Sequence, residues 1–159
     1  MAHNGLNVFK FRGVSNLSLD AKGRIVLPAR YRERLSETCR GQLIVTIDTD
    51  QPCLLIYPLP EWETIEDKIE ALPSFNATTR RIQRLLIGHA TELEVDGNGR
   101  MLLPNPLREY AQLGKKVVLI GQGKKFELWD EQLWNERMDA WLGDGGSDEM
   151  PAALAELTL

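Results

Sequence analysis

Cysteine and histidine are scarce in this 159-residue chain, which holds two of each: Cys39 and Cys53, His3 and His89. Two thiols are too few for a disulfide framework, and no closely spaced Cys/His set reads as a zinc site. No apolar run approaches the roughly 18 residues that a membrane-spanning helix needs. Residues Met1 to Lys10 include Asn4, Gly5 and Asn7, where a signal peptide would carry an unbroken apolar core. The expectation is a reduced cytoplasmic setting with no membrane. Catalytic signatures are missing as well: there is no G-x-S-x-G elbow, Walker loop or H-E-x-x-H helix. His89 with Glu92 could pair on a metal, but a helix-end histidine bonded locally is the simpler account. Asp48-Thr49-Asp50-Gln51 starts like a calcium loop, yet Leu59 stands at the twelfth position, where a bidentate Glu is needed. Gly121-Gln122-Gly123 lies between two strands with no helix after it, so it reads as a hairpin turn rather than a dinucleotide fingerprint. No enzyme, metal, cofactor or small-molecule substrate is expected.

What is present is the composition of a globular protein, 43% hydrophobic and 26% charged. The length suits one ordinary domain, or two very small ones sharing a core. The formal net charge of −4 argues against a nucleic-acid partner, but its distribution does not. Residues 1–40 carry eight basic and three acidic side chains, a net of +5, while residues 130–159 carry eight acids and only Arg137, a net of −7. A basic head can meet phosphate while an acidic tail keeps the whole soluble.

The chain is written twice. Leu17–Glu33 aligns with Leu93–Glu109 at an offset of 76, with eight of 17 positions identical: Leu17/Leu93, Asp20/Asp96, Gly23/Gly99, Arg24/Arg100, Leu27/Leu103, Pro28/Pro104, Arg32/Arg108 and Glu33/Glu109. The match resumes at an offset of 72, pairing Tyr57 with Trp129 and Trp62 with Trp134, so the second copy is four residues shorter in between. In each copy a short alternating run leads into Asp-x-x-Gly, where Asp caps its own backbone and Gly accepts positive φ. Arg24–Leu27 and Arg100–Leu103 then read as the returning strand of a hairpin. Pro28 and Pro104 stop each strand and open short helices, Arg30–Cys39 and Leu107–Leu113. Two further strands follow in each copy, Leu43–Asp48 with Leu54–Tyr57 and Val117–Ile120 with Phe126–Trp129. A unit of about 45 residues cannot bury a sufficient core alone. Two copies packed about a pseudo-twofold axis can, which predicts a small, mostly β barrel built from both.

Helical periodicity appears over Pro60–Leu72, Ala77–Ala90 and Glu131–Leu142, the first two forming an αα-hairpin between the copies. Trp62, Trp134 and Trp141 fall on apolar stripes read as core or subunit interface. Arg80, Arg81 and Arg84 read as a solvated face pairing with acids over Glu63–Glu70. The expected organisation is an N-terminal extension (1–9), a first repeat (10–58), a helical linker (59–90), a second repeat (91–130), a C-terminal helix (131–143) and an acidic flexible tail (144–159).

Phe11-Arg12-Gly13, then Leu19-Asp20-Ala21-Lys22-Gly23-Arg24-Ile25-Val26-Leu27-Pro28 and Arg32, echoed by Val95-Asp96-Gly97-Asn98-Gly99-Arg100-Met101-Leu102-Leu103-Pro104 and Arg108, resemble the MraZ family. The Gln51–Trp62 run and the Gly88-His89-Ala90 segment are similar to it too, and the likeness spans about Phe11 to Trp141. The resemblance implies an α+β fold, mainly β with helices: a duplicated AbrB-like swapped-hairpin barrel with linking and C-terminal helices. It also implies a bacterial, cytoplasmic, nucleoid-associated transcription regulator of the division and cell-wall operon, assembled as a ring and bound to short direct repeats of double-stranded DNA. The positions carried over are Asp20, Lys22, Arg24, Asp96 and Arg100. Asn98 replaces Lys22 in the second copy and makes that loop a weaker cation.

The chemistry of these residues is compatible with that role. Arg24 and Arg100 follow a Gly turn and can project a planar guanidinium to phosphate or to the O6/N7 edge of guanine. Lys22, Arg12 and Asn98 join them as candidate DNA contacts. Asp20 and Asp96, of the wrong sign for phosphate, would orient the loops together with Gly23 and Gly99. The arginines could equally serve only to pair with these Asp residues and hold the fold. A protein-interaction or scaffold module, antitoxin-like and without specific DNA binding, is the other class of function left open.

Overall fold

The computed structural model describes residues 10–144 together with 156 and 157. The expected extension over 1–9 and nearly all of the expected acidic tail lie outside the described residues. The first copy runs β1 (Phe11–Ser18), β2 (Arg24–Val26), α1 (Ala29–Cys39), β3 (Gln42–Ile47) and β4 (Leu54–Pro58). After α2 (Leu59–Glu70) and α3 (Ala77–Ile82) the second copy repeats it as β5 (Thr91–Glu94), β6 (Arg100–Leu102), α4 (Asn105–Tyr110), β7 (Lys116–Gly123) and β8 (Phe126–Asp130), followed by α5 (Glu131–Asp144). Pro28 and Pro104 sit just ahead of α1 and α4 with φ of −56° and −61°, ending one element and opening the next.

Strand pairing crosses between the copies. One sheet has the order β1-β7-β8-β4-β3-β5 and a second pairs β2 with β6, all antiparallel. Exchanging each strand for its counterpart reverses the six-stranded order onto itself, as a twofold axis requires. The register agrees: Ile25 pairs with Met101 and Leu55 with Glu127, each residue facing its own equivalent. Leu43 faces Pro58 as Val117 faces Asp130, so β3 and β7 correspond at an offset of 74, and β4 and β8 at 72. The four missing residues are therefore two losses, one between helix and strand and one in the hairpin turn.

This corrects the local hairpin expected from each Asp-x-x-Gly turn. β1 and β2 enter different sheets, and β1 bonds to β7 while β2 bonds to β6. The turn geometry is local but its strands seek partners in the other copy, the swap that the family resemblance implied. The ladders form two sheets rather than one closed cylinder.

Between the sheets lies one apolar core. Ile25, Leu27, Met101 and Leu103 from the small ribbon meet Leu43, Val45, Leu54, Ile56, Leu119 and Leu128 from the large sheet, with Leu35 and Leu107 added by α1 and α4. Phe11, Tyr31 and Phe126 close one end, with the Phe11 and Phe126 ring centroids 4.4 Å apart. A second cluster, Cys53, Val118, Ile120 and Trp129, takes Leu133 and Trp134 from α5. The aromatic pairs recur with the repeat, Tyr57–Trp62 at 5.6 Å and Trp129–Trp134 at 5.7 Å. Gly121 faces Gly13 across β1–β7, and a Cβ there would stand 2.5 Å from the Arg12 backbone nitrogen, so this close approach requires glycine.

Two helical expectations change. The single helix over Ala77–Ala90 is instead α3 followed by a π-helical turn, Gln83–Ile87. Asn76 starts α3, its Oδ1 accepting from the Thr78 and Thr79 amides at 2.8 and 3.4 Å. Among the described residues Arg80, Arg81 and Arg84 form no ion pair with the α2 acids. Arg80 Nη1 donates instead to the carbonyls of Ser74 and Phe75, at 3.2 and 3.1 Å. Those carbonyls, in the turn preceding α3, sit nearer than the α2 carboxylates.

Because Ile25 is wholly buried on the axis, Ile25→Ala should destabilise the fold by about 2–5 kcal/mol. Urea unfolding checks this, and the whole chain should unfold in one transition because the two copies share the core.

Candidate nucleic-acid interface

The two Asp-x-x-Gly turns are near copies in three dimensions. Asp20 Oδ1 accepts from the amides of Lys22 and Arg24, both at 2.9 Å, and Asp20 Oδ2 from Arg24 Nε at 2.8 Å. Asp96 does the same for Asn98, at 2.8 Å, and Arg100, at 2.9 Å to the amide and 3.0 Å to Nε. The Asp20 and Asp96 amides donate back to the Arg24 and Arg100 carbonyls at 2.9 and 3.0 Å. The backbone amides of Arg24 and Arg100, reinforced by other loop donors, hold both carboxyls below their ordinary value. Gly23 and Gly99 supply the positive φ, +86° and +78°.

Each loop is also braced by the other copy. Leu103 N donates to Gly23 O at 2.9 Å and Leu27 N to Gly99 O at 2.8 Å. The Arg108 side chain lies over Gly23 and that of Arg32 over Gly99, so a Cβ at either glycine would come within 2.6 Å of an arginine carbon. Arg32 Nη1 reaches Asn98 O at 3.3 Å, and Arg108 Nε donates to Leu103 O at 3.0 Å. Arg32 Nε is buried with no hydrogen-bond partner among the described residues. The identity of Arg32 and Arg108 in the two copies was the available signal for these braces, and sequence reasoning gave them no role.

The loops feed the β2–β6 ribbon, whose inner face is Ile25 and Met101. Its outer face carries Arg24 opposite Leu102 and Val26 opposite Arg100. Both guanidiniums spend Nε on their Asp, and among the described residues their Nη atoms carry no hydrogen bond. A ribbon of two strands with outward planar donors is a shape the DNA major groove admits.

Lys22 and Asn98 stand exposed on the two loops. Arg12 does not join them. It lies near the far end of β1, roughly 20 Å of strand from Ser18, beside a cavity of about 490 Å³ lined by Lys10, Arg30 and Arg34. Besides Arg32 and Arg108, three further cations that the sequence did not single out are brought near the loops. Lys115, whose carbonyl accepts from the Leu19 amide at 2.7 Å, and its neighbour Lys116 flank the first loop. Arg40 lines a cavity of about 470 Å³ beside the second loop, with Arg32, Asp96 and Gly97. Because these contacts come from another copy's chain segment, no local spacing revealed them.

The structure also gathers Asp48, Cys53 and Glu127, whose ligand-type atoms lie within 4.8 Å of one another. Each is already bonded. Cys53 Sγ donates to Asp48 Oδ2 at 3.7 Å, the Gln51 amide donates to the same oxygen at 3.1 Å, and Trp129 Nε1 donates to Glu127 Oε1 at 2.8 Å. Burial, with the two acids beside it, pushes the Cys53 thiol well above its ordinary value, so it stays a neutral donor that ties the hairpin turn. His89 Nδ1 bonds the Leu85 carbonyl at 2.8 Å, the local role expected of it.

A duplicated, strand-exchanged α+β fold that carries two Asp-anchored arginine loops on one exposed ribbon is the class of protein defined here. Comparison with known proteins agrees. The family described as "MraZ protein, putative antitoxin-like" matches residues 10–85 and again 86–140. The chain is 54% identical to "Transcriptional regulator MraZ" of Alkalilimnicola ehrlichii over 149 residues, covering 94% of this chain and 99% of the relative. It is 57% identical to the protein of the same name from Halorhodospira halophila over 151 residues, covering 94% and 99%. With that of Pseudomonas aeruginosa it shares 60% over 130 residues, covering 82% and 86%. The chain belongs to the MraZ family.

Because both carboxyls titrate below their unfolded value, their contribution to loop order is present above about pH 4 and is lost as pH falls through the folded values. The amides of Lys22, Arg24, Asn98 and Arg100 should therefore keep constant chemical shifts from pH 8 to 5 and move only below about pH 4. Asp20→Ala should accelerate hydrogen exchange at Lys22 and Arg24 by about tenfold while the second loop keeps its wild-type rates.

Proposed function

We propose that this chain is a transcription regulator that acts by binding double-stranded DNA in a sequence-specific way. The observation that carries the reading is the outer face of the β2–β6 ribbon, where Arg24 and Arg100 each spend one nitrogen on an Asp and present the rest of the fork outward. A guanidinium fixed by its own carboxylate costs little entropy to aim, and a bidentate pair to guanine contributes about 1–3 kcal/mol of discrimination. The printed name of the relatives, "Transcriptional regulator MraZ", supports the broader part of this reading.

The finer parts rest on the family resemblance, and charge and number support the assembly. Lys22, Lys115, Lys116 and Arg40 offer about four phosphate contacts, and each contributes a slope of roughly −0.9 in log K against log salt. That is weak for one chain at physiological salt. Several chains in a ring, each meeting one of a set of short direct repeats about one helical turn apart, would raise avidity by about 10²–10⁴. By the same resemblance the protein works in the cytoplasm, associated with the nucleoid, and represses its own division and cell-wall operon.

A protein-binding module is the second reading. It is favoured by α5, where Trp141 is 49% and Leu142 75% exposed, and by the antitoxin likeness in the family description.

Fluorescence anisotropy of the purified protein on a duplex of its own upstream region, across a salt series, separates the two. The DNA reading expects steep salt dependence, with Arg24→Ala and Arg100→Ala each weakening binding at least about tenfold while the circular dichroism spectrum is retained. Weak, salt-insensitive binding that is the same in all three proteins would favour the protein-binding module.

A further inference from the structure

The outer face of the β2–β6 ribbon is half apolar. Val26 is 50% and Leu102 54% exposed, although each stands in a three-residue strand whose other face, Ile25 and Met101, is completely buried. A lone exposed aliphatic residue needs no explanation. Here the exposure occurs twice, at equivalent positions, and each aliphatic side chain faces the other copy's arginine: Leu102 opposite Arg24, Val26 opposite Arg100. The core does not use them, and the loops' hydrogen bonds do not involve them.

We propose that Val26 and Leu102 read the 5-methyl groups of thymine in the major groove, beside the base edges taken by Arg24 and Arg100. This deepens the DNA-binding reading and rests on it. The occupant is indicated by charge: guanidinium groups whose Nη atoms have no hydrogen bond among the described residues border both aliphatic residues, so whatever covers the ribbon is anionic or rich in acceptors as well as partly apolar. The major-groove edge of a G·C pair next to a T·A pair has that character, with N7 and O6 acceptors beside one exposed methyl. Spacing agrees. Residues two apart on one strand are separated by about 6.7 Å, close to two base steps of about 3.4 Å. Cross-strand neighbours are about 5 Å apart at Cβ, so each arginine and its aliphatic partner span adjacent bases. A β-branched Val and a larger Leu at equivalent positions also give the two half-sites different reach, so the pseudo-symmetric ribbon reads an asymmetric sequence.

The test uses the full chain and a duplex selected from a random pool for tightest binding, prepared once with thymidine and once with deoxyuridine, which lacks only the 5-methyl group. Wild type should bind the deoxyuridine duplex about fourfold more weakly for each methyl contacted, and at least about tenfold if both are. Val26→Ser with Leu102→Ser should bind both duplexes equally, with an unchanged salt slope because phosphate contacts are untouched. Equal binding of the two duplexes by wild type overturns the inference and leaves DNA binding standing. Discrimination that survives in the serine variant overturns it too, since the effect then lies in the DNA itself. Failure to select any duplex overturns the DNA-binding reading together with this one.

Discussion

Backbone hydrogen bonding between the two copies is the interaction on which everything else depends. β1 completes its ladder on β7, β5 on β3, β4 on β8 and β2 on β6. Among the described residues only the β3–β4 and β7–β8 hairpins close within a copy. Remove either copy and the other has open strand edges and half a core, an arrangement too small to hold itself together. The same exchange fixes the two candidate loops. Gly23 and Gly99 accept hydrogen bonds from Leu103 and Leu27 of the opposite copy, and Arg108 and Arg32 lie across them. Scaffold and candidate interface are thus one network, in which each turn is held by its own Asp and braced by residues of the opposite copy.

That rigidity explains how an acidic chain can present cations. Each arginine is partly neutralised by its Asp, so the loops add little to the long-range field. What they add is direction, because a guanidinium whose Nε is bonded has few orientations left. In the proposed DNA-binding reading, attraction at longer range falls to Lys22, Lys115, Lys116 and Arg40, and specificity to the ribbon face. The division resembles the usual one in protein–DNA interfaces, where phosphate contacts position and base contacts discriminate.

Much of this was legible in the sequence. The eight identities over 17 positions revealed the duplication, and with it the pseudo-twofold axis that Ile25–Met101 and Leu55–Glu127 display. The Asp-x-x-Gly-Arg spacing gave the loops, since an Asx turn and a positive-φ Gly are local chemistry. Partner choice was not legible in the residues: nothing in Leu17–Leu27 says that its strands bond to the other copy, and only the family likeness implied the swap. Arg12 stood among the candidate DNA contacts, and its nearness to the loops in sequence misleads, because an eight-residue strand carries it to the other end. Lys115 and Arg40 were passed over for the converse reason, since they come near the loops only through tertiary contacts. The π-helical turn at Gln83–Ile87 was hidden by a periodicity that fits an α-helix nearly as well.

In the proposed function the β2–β6 ribbon and its two loops are the surface that meets DNA. Amide hydrogen exchange on the full chain, with and without a tightly bound duplex, tests it most directly because it reports every segment at once. Slowed exchange is expected across residues 20–26 and 96–102, with α2 and α5 unchanged unless chains assemble through them. Protection confined to the helices or to the Lys10–Arg34 cavity, with the ribbon exchanging as in the free protein, would contradict it.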